Sequence, residues 1–103
     1  MLAIFKALAD PTRLEILRLV AAQGGPVCAC DLQAKFDLGQ PTIAHHLKVL
    51  REAGLLRASR RGIWSFYEPD PAGAATLAEA AAACAPPSPD SAPAGAPVRA
   101  ASA

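Results

Sequence analysis

The sequence has few aromatic residues, an odd number of cysteines and no long apolar run. Aromatic residues make up 5% of its 103 residues, which supports one modest core that a dimer would help to stabilise. Three cysteines do not form a secreted disulfide framework. No apolar run approaches the roughly 20 residues of a membrane span, and Lys6 interrupts the apolar start, so no signal peptide is predicted. We expect a cytoplasmic protein with reduced thiols and no membrane partner.

The sequence also lacks the residue patterns of common active sites. It contains no phosphate-binding loop, no paired catalytic carboxylates and no nucleophile with a recognisable base. A small dithiol redox enzyme would use Cys-X-X-Cys near a βαβ pattern, and the chain has neither feature. We therefore expect that the protein is not an enzyme.

Charge is distributed unevenly along the chain, although the formal net charge is only +1. Between residues 40 and 67, Glu52 is the lone acidic residue. The basic residues of this segment are Lys48, Arg51, Arg57, Arg60 and Arg61. A basic stretch in a neutral protein suggests a surface for an anionic partner, although an ordinary solvated helix and hairpin would have the same composition.

Helical patterns dominate the chain as far as residue 85. Asp10 is a favourable N-cap and Pro11 a favourable first helical residue, so a helix is predicted from there to the QGGP segment. The other predicted helices cover residues 2–9, 28–36, 40–53 and 71–85. Residues 86–103 are rich in Pro, Ala, Ser and Gly and cannot build a core. One domain over residues 1–85 and a disordered tail over 86–103 are therefore predicted.

A β-hairpin is predicted between the last two helices. Residues 56–61 alternate in character, Gly62 permits a turn, and the following IWSFYE segment is rich in strand-forming residues. Two short helices joined by a tight turn and followed by a basic hairpin predict a mainly α fold, a winged helix-turn-helix. In that arrangement the second helix of the pair, here 40–53, enters the DNA major groove.

Four motifs together resemble the ArsR/SmtB family of metal-responsive repressors. They read LADPTRLEILRLV, VCACDL, GQPTIAHHLKVLREAGLL and RRGIWSFYEP, and they occur in the family's order between about Phe5 and Pro69. The resemblance implies a homodimer that binds double-stranded operator DNA upstream of a resistance operon and leaves it when metal arrives. Arsenite-sensing members often read Cys-Val-Cys-Asp-Leu-Cys, and Gln33 stands at the last of those positions here.

The cysteine motif is interpreted as a metalloid site. Thiolates prefer soft ions, and a helix N-terminus lowers a cysteine pKa. Cys28 and Cys30 are therefore predicted to bind As(III) or Sb(III). The alternative is that both cysteines are small buried apolar residues without a ligand. In a regular helix positions i and i+2 lie roughly 200° apart, so joint binding would have to distort the start of the 28–36 helix. Cys84 is the candidate third ligand, from the same or the other subunit, or a plain surface cysteine. Asp31 is interpreted as a favourable acid at a helix start, with an oxygen ligand for a divalent ion as the alternative.

The DNA-binding residues are predicted on the 40–53 helix and on the hairpin. Those on the helix are Gln40, Thr42, His45 and Lys48, which can read base edges or phosphates. Those on the hairpin are Arg57, Arg60 and Arg61, which would meet phosphates or the minor groove. His46 is interpreted as a packed or partly buried histidine. Trp64, Phe66 and Tyr67 are expected in the hairpin core.

The sequence therefore predicts a metalloid-responsive repressor that is released from operator DNA by As(III) or Sb(III). Its alternatives are a thiol-redox or persulfide-sensing repressor of the same fold, and a sensor of soft divalent ions such as Cd(II) or Pb(II). Dimerisation is predicted through the first and last helices, because Leu2, Phe5 and Leu77 are apolar residues that one small domain cannot easily bury.

Overall fold

The computed structural model describes residues 2 to 84, and the predicted tail lies outside the described residues. Helices and strands follow one another in the predicted order, with one additional short strand. The helices are α1 (Leu2–Leu8), α2 (Pro11–Gln23), α3 (Ala29–Phe36), α4 (Gln40–Glu52) and α5 (Pro71–Cys84). The strands are β1 (Val27–Cys28), β2 (Leu56–Arg61) and β3 (Trp64–Pro69). The mainly α winged helix-turn-helix is confirmed, with α3 and α4 as the helix pair and β2–β3 as the wing.

The start of α2 confirms the predicted cap. Asp10 has an extended backbone, and its Oδ1 accepts the backbone N–H groups of Thr12 at 2.8 Å and Arg13 at 3.1 Å. The hydrogen bond from Arg13 is the largest cause that lowers the pKa of the Asp10 carboxyl below its ordinary value. Gly24 ends the helix in the left-handed conformation, at φ 79°.

The three strands form an antiparallel sheet in the order β1–β3–β2. The predicted hairpin is confirmed, with Gly62 at φ 65° in its turn. Strand β1 was not expected, because it is only two residues long and pairs with a strand far away in sequence. Val27 lies opposite Tyr67 and Cys28 opposite Phe66. The wing is therefore tied directly to the residue that precedes α3.

The core lies between the helices and the base of the wing. It includes Ile16 and Val20 of α2, Leu32 of α3, and an apolar stripe of α4. That stripe consists of Ile43, Leu47 and Leu50, each at most 2% exposed. Burying such side chains stabilises a fold by about 1.5–3 kcal/mol each, so α4 is held firmly by its inner face.

Helix α5 packs against the turn between α4 and β2 through backbone atoms. A side chain at Gly73 would collide with the carbonyl group of Gly54, and Gly54 itself has φ 82°. Gly73 is therefore required because a side chain would not fit, and Gly54 because its backbone conformation favours glycine. No helix within residues 2–84 is long and apolar enough to cross a membrane.

Candidate functional site

Helix α4 has a buried face and an opposite face that is open to solvent. Pro41 lies in its first turn, and the apolar stripe described above holds the helix to the core. All four residues predicted to read DNA are exposed. They are Gln40, Thr42, His45 and Lys48. An exposed helix face with amide, hydroxyl, imidazole and ammonium groups can donate to and accept from base edges and phosphates.

His46 is half-buried, as the sequence analysis predicted. It lies where three helices meet. Its Nδ1 lies 3.4 Å from Nη1 of Arg13, which donates to it when that nitrogen is unprotonated. The Nε group of Arg13 also donates to the carbonyl oxygen of Ala7 at 2.7 Å, and Nη1 lies 3.9 Å from Asp10. Arg13 thus links α1, α2 and α4, a role that the sequence analysis did not identify.

The three arginines of the wing differ in their surroundings. Arg57 forms an ion pair with Glu68, with Nε and Oε1 3.3 Å apart. Arg61 lies over the ring of Phe66, 4.9 Å from its centroid, in a cation–π contact. Within residues 2–84, Arg60 makes no ion pair, and it is exposed. Arg60 is therefore the wing arginine whose guanidinium is most available to a phosphate.

The expectation that Trp64 belongs to the hairpin core is wrong. Trp64 is 51% exposed, whereas Phe66 and Tyr67 are half-buried. Trp64 pairs with Arg61 beside the turn of the wing. Its neighbour Ile63 is 80% exposed. The tip of the wing therefore exposes two apolar side chains beside its arginines.

Cys28 lies in β1 and caps α3, and this corrects the geometry expected for the cysteine pair. Its backbone is extended, at φ −70° and ψ 138°, and its Sγ accepts the backbone N–H of Cys30 at 3.4 Å. The helix begins at Ala29. The two cysteines are therefore not positions i and i+2 of a regular helix, because Cys28 is the cap and only Cys30 lies within the helix.

The pKa of the Cys30 thiol lies above its ordinary value of 9.0. The largest cause is its hydrogen bond with the Cys28 side chain, followed by desolvation and by the charges of Cys28 and Asp31. The general expectation that a helix N-terminus lowers a cysteine pKa does not hold for Cys30. Asp31 is exposed in the first turn of α3, where an acid is favourable. At neutral pH, Cys30 is therefore a thiol that must lose its proton when it binds a metal or metalloid.

Cys84 is the last residue of α5 and is exposed. Within residues 2–84, no three Cys, His, Asp or Glu side chains gather into a cluster that could hold a metal ion. The structure of one chain therefore brings Cys28 and Cys30 together without Cys84. A ligand role for Cys84, from the same or the other subunit, stays a prediction.

A cleft of about 350 Å³ adjoins the two cysteines. Helix α4 contributes Ile43 and Leu47 to its lining, and the wing contributes Ile63 and Trp64. Gln33, Gln40 and Ser65 add polar groups. The thiol pair, the first turns of α4 and the tip of the wing therefore border one common space.

Fold and surface together define a winged helix-turn-helix transcriptional regulator. Residues 10–58 match the family described as "Bacterial regulatory protein, arsR family". The chain is 48% identical over 64 residues to an uncharacterized HTH-type transcriptional regulator of Methanocaldococcus jannaschii, covering 62% of this chain and 71% of that protein. The chain belongs to the arsR family, whose members are transcriptional regulators and not enzymes.

Two further similarities concern function and assembly. The chain is 46% identical over 68 residues to the arsenical resistance operon repressor of Escherichia coli K12, a match that covers 66% of this chain and 57% of that repressor. A solution structure of the homodimeric winged helix-turn-helix domain of a possible ArsR-family regulator from Mycobacterium bovis superposes with a TM-score of 0.66 at 27% identity. That superposition covers 79% of this chain and 74% of the other. The chain thus spans less than two thirds of the Escherichia coli repressor.

Proposed function

We propose that this chain is a metalloid-responsive repressor that binds operator DNA as a homodimer. As(III) or Sb(III) would bind the Cys28 and Cys30 thiolates and release the protein from DNA. The similarity to an arsenical resistance operon repressor supports the inducer, and the exposed face of α4 supports the DNA partner. The proposal places the protein in the cytoplasm, where thiols stay reduced.

The observation that carries the proposal is the double role of Cys28. Its backbone pairs with Phe66 of the wing, while its sulfur caps α3 through the N–H of Cys30. Helix α3 in turn packs against α4. A ligand on the Cys28 sulfur therefore acts at a point that touches both elements proposed to hold DNA.

Binding would change this point in two ways. A sulfur that shares its electron pairs with a soft metalloid is a poorer acceptor for the Cys30 N–H, so the cap of α3 weakens. Drawing the Cys30 sulfur to the same ligand also pulls on the first turn of α3. DNA binding favours the undistorted arrangement, so by linkage the metalloid and the operator weaken each other's binding by the same factor.

The proposed DNA interface combines α4 with the wing. Gln40, Thr42, His45 and Lys48 would face the major groove, with the arginines of β2 at flanking phosphates. Because Arg57 and Arg61 already have partners, Arg60 is expected to contribute most among the wing arginines. Binding should weaken steeply with salt, as phosphate contacts release counterions.

The proposed dimer uses α1 and α5. Leu2 of α1 is 67% exposed and Phe5 is 45% exposed, which is apolar surface that a second subunit could cover. The Mycobacterium bovis neighbour is described as homodimeric. Sedimentation should find a dimer at micromolar concentration with and without arsenite, and a stable monomer would contradict this part of the proposal.

Serine at position 28 gives a clean test of metalloid sensing. Serine is itself a favourable N-cap, so Cys28→Ser keeps the start of α3 while removing the soft ligand. In a mobility-shift assay, Cys28→Ser and Cys30→Ser should each bind the operator like the wild type and resist release by arsenite. Cys84→Ser is the matched control, and a partial loss of its response would assign Cys84 as a third ligand, from the same or the other subunit. Normal release of either of the first two variants would refute sensing by this motif.

A paired test of the wing uses Arg60→Ala and Arg57→Ala. Arg60→Ala should weaken binding to all sequences and reduce the salt slope by about one. Arg57→Ala should have the smaller effect, because its guanidinium is engaged by Glu68. His45→Ala should instead relax sequence preference. If Arg60→Ala changed only sequence preference, the placement of the wing on phosphates would be wrong.

A thiol-redox or persulfide sensor is the second candidate, because two free thiols lie side by side. The raised pKa of Cys30 does not separate the two functions, because oxidation and metalloid binding both use the thiolate. Counting free thiols after mild oxidation, and comparing operator release under the same conditions with release by arsenite, separates the two functions. Substituting Cd(II) or Pb(II) for arsenite tests the divalent alternative.

A further inference from the structure

We infer that the tip of the wing carries an apolar wedge, formed by the side chains of Ile63 and Trp64, that enters the minor groove of the operator and opens one base step. The inference rests on the proposed function and goes beyond it, because that function gives the wing arginines phosphate contacts and these two side chains no role. An apolar wedge that partly unstacks a base step bends the duplex. The choice of operator then depends on how easily the DNA beside each half-site deforms.

The first argument concerns the turn of the wing. Gly62 and Ile63 form a two-residue turn, since Arg61 pairs with Trp64, and Gly62 supplies the positive φ that such a turn needs. Turn residues are usually polar or glycine. Ile63 is instead a β-branched apolar residue that is 80% exposed, so it adds little to the core. Trp64, next to it, is also more than half exposed. Adjacent apolar side chains at the apex indicate a surface that a partner covers.

The second argument concerns the arginines on either side of the wedge. Consecutive residues of a strand point to opposite faces, so Arg60 lies on one face of the hairpin and Arg61 on the other, opposite Trp64. The minor groove is bordered by two phosphate strands and is only about 6 Å wide. A hairpin lying along the groove presents one arginine to each phosphate strand and its apex to the base edges. Entry of the apex has to widen so narrow a groove, which is the deformation that the wedge produces.

The third argument concerns the position of the tip, which favours DNA over other anionic partners. Ile63 and Trp64 border the same cleft as Gln40, the first residue of α4. A duplex that receives the exposed face of α4 in its major groove therefore has the tip of the wing beside it. Residues 53–67 include no acidic side chain, so this part of the hairpin does not repel phosphate. An anionic membrane surface is the competing partner, and the first experiment includes it.

The first experiment uses Trp64 as its own probe, because it is the single tryptophan of the chain. The DNA is a duplex that the wild-type protein selects from a random pool. Saturation with this duplex should shift the tryptophan emission and reduce its quenching by acrylamide, since the indole leaves water. Unchanged emission and quenching in the complex would overturn the inference. Vesicles of anionic phospholipid form the second arm, and protection by vesicles without protection by DNA would assign the tip to a membrane surface instead.

The second experiment tests the deformation of the DNA. A flexible TA step is moved, one base pair at a time, along the flank of one half-site, and its effect is compared with that of a stiff AA step. At one position the wild type should bind the TA duplex about fivefold or more tighter. The sign is informative, because arginines alone favour the narrow minor groove of A-tracts. A preference for AA at every position, or no preference, would contradict the wedge.

Ile63→Ser removes the apex of the wedge with little risk to the fold, because this side chain is mostly exposed. The variant should lose the preference for TA and keep the salt slope, and Ile63→Leu should restore the preference. Arg60→Ala should do the reverse, with a smaller salt slope and the preference retained. Leu14→Ala is the control for loss of an exposed apolar side chain, since Leu14 is 40% exposed on α2, outside the cleft. A preference that survives in Ile63→Ser would refute the role of Ile63.

The same measurements separate failure of this inference from failure of the proposed function. If the wild type enriches no sequence from the random pool, the proposed operator binding fails, and the inference fails with it. If binding is sequence-specific and weakens with salt, but the flanking step has no effect and Trp64 stays open to acrylamide, only the inference fails.

Discussion

The N-termini of α2 and α3 are capped by different chemical groups. At α2 a carboxylate, Asp10, accepts two backbone N–H groups at 2.8 and 3.1 Å. At α3 a sulfur, that of Cys28, accepts one N–H at 3.4 Å. Charge-assisted hydrogen bonds are short and strong, whereas sulfur is a weak acceptor. One helix start is therefore fixed firmly and the other is held loosely.

This difference separates a structural cap from one that can respond to a ligand. The Asp10 carboxylate serves the N-terminus of α2 and an ion pair with Arg13, both of which hold the fold. The Cys28 sulfur has electron pairs that a soft metalloid would also use. A strong cap at Cys28 would resist the ligand, and a weak cap at Asp10 would loosen the junction that supports α4. The following predictions test that contrast, from the largest effect to the smallest.

Asp10→Ala should cost the most stability. It removes the acceptor for two N–H groups at the start of α2, and such a loss lowers the midpoint of thermal unfolding by about 4–8 °C in a domain of this size. Asp10→Asn keeps an acceptor oxygen and should recover most of the difference. Hydrogen exchange at the amides of Thr12 and Arg13 should accelerate in the Ala variant. Unchanged exchange there would show that the cap is dispensable.

The pH dependence of stability should reflect the lowered pKa of Asp10. A depressed folded-state pKa contributes stability that is present above the ordinary value of 3.8 and is lost as the pH falls through the lower, folded value. The wild type should therefore lose stability on acidification below about pH 4 more steeply than Asp10→Asn. Thermal unfolding at a series of acidic pH values measures this difference. If the unfolding midpoints of the two proteins fell equally with pH, the Asp10 carboxylate would not contribute to the loss of stability in acid.

Substitutions at Cys28 should cost less than the loss of Asp10. Cys28→Ala loses a weak cap and part of a buried contact, so its unfolding midpoint should fall by less than that of Asp10→Ala. Cys28→Ser should equal or exceed the wild type, since a hydroxyl is the better cap. Thermal unfolding of the three variants in one buffer gives the order directly. If Cys28→Ala lowered the unfolding midpoint more than Asp10→Ala, the cap of α3 would be the stronger of the two.

The smallest effect should be a change in the reactivity of Cys30. The hydrogen bond with Cys28 is the largest cause of its raised pKa, so Cys28→Ala should lower that pKa toward 9.0. In a Cys84→Ser background, alkylation of Cys30 by iodoacetamide near pH 8.5 should then be faster in Cys28→Ala than with Cys28 present. The rate as a function of pH gives the pKa in each protein. A higher pKa of Cys30 in Cys28→Ala would show that the Cys28 side chain does not raise the pKa of Cys30.

Features determined by neighbouring residues were predictable from the sequence. The Asp10–Pro11 start, the buried stripe of α4 and the Gly62 turn each follow from residues within one turn or hairpin. The charge distribution and the order of the elements likewise indicated that α4 and the wing carry the polar and basic residues of a DNA-binding surface. The roles of those residues on DNA, and of the cysteines on a metalloid, remain predictions.

Features determined by contacts between distant segments were not predictable. Strand β1 has only two residues and forms because β3 pairs with it. A strand this short has no alternation of apolar and polar residues from which it could be predicted. That pairing places Cys28 outside the helix and changes the geometry of the thiol pair. The contact of Arg13 with His46 joins residues 33 positions apart. The exposure of Trp64 depends on how the wing packs against the rest of the fold.

The close approach of Gly73 to Gly54 has a consequence for the spacing of operator half-sites. In the proposed homodimer, α5 joins the subunits, and its first turn rests directly on the backbone that follows α4. Because this contact is between main chains, no change of side-chain rotamer can alter the distance between α5 and the end of α4. The separation of the two α4 helices would then be set by a rigid path, and we expect it to fit half-sites separated by one turn of DNA, about 34–36 Å. An operator lengthened by half a turn should bind only one subunit's α4 at a time.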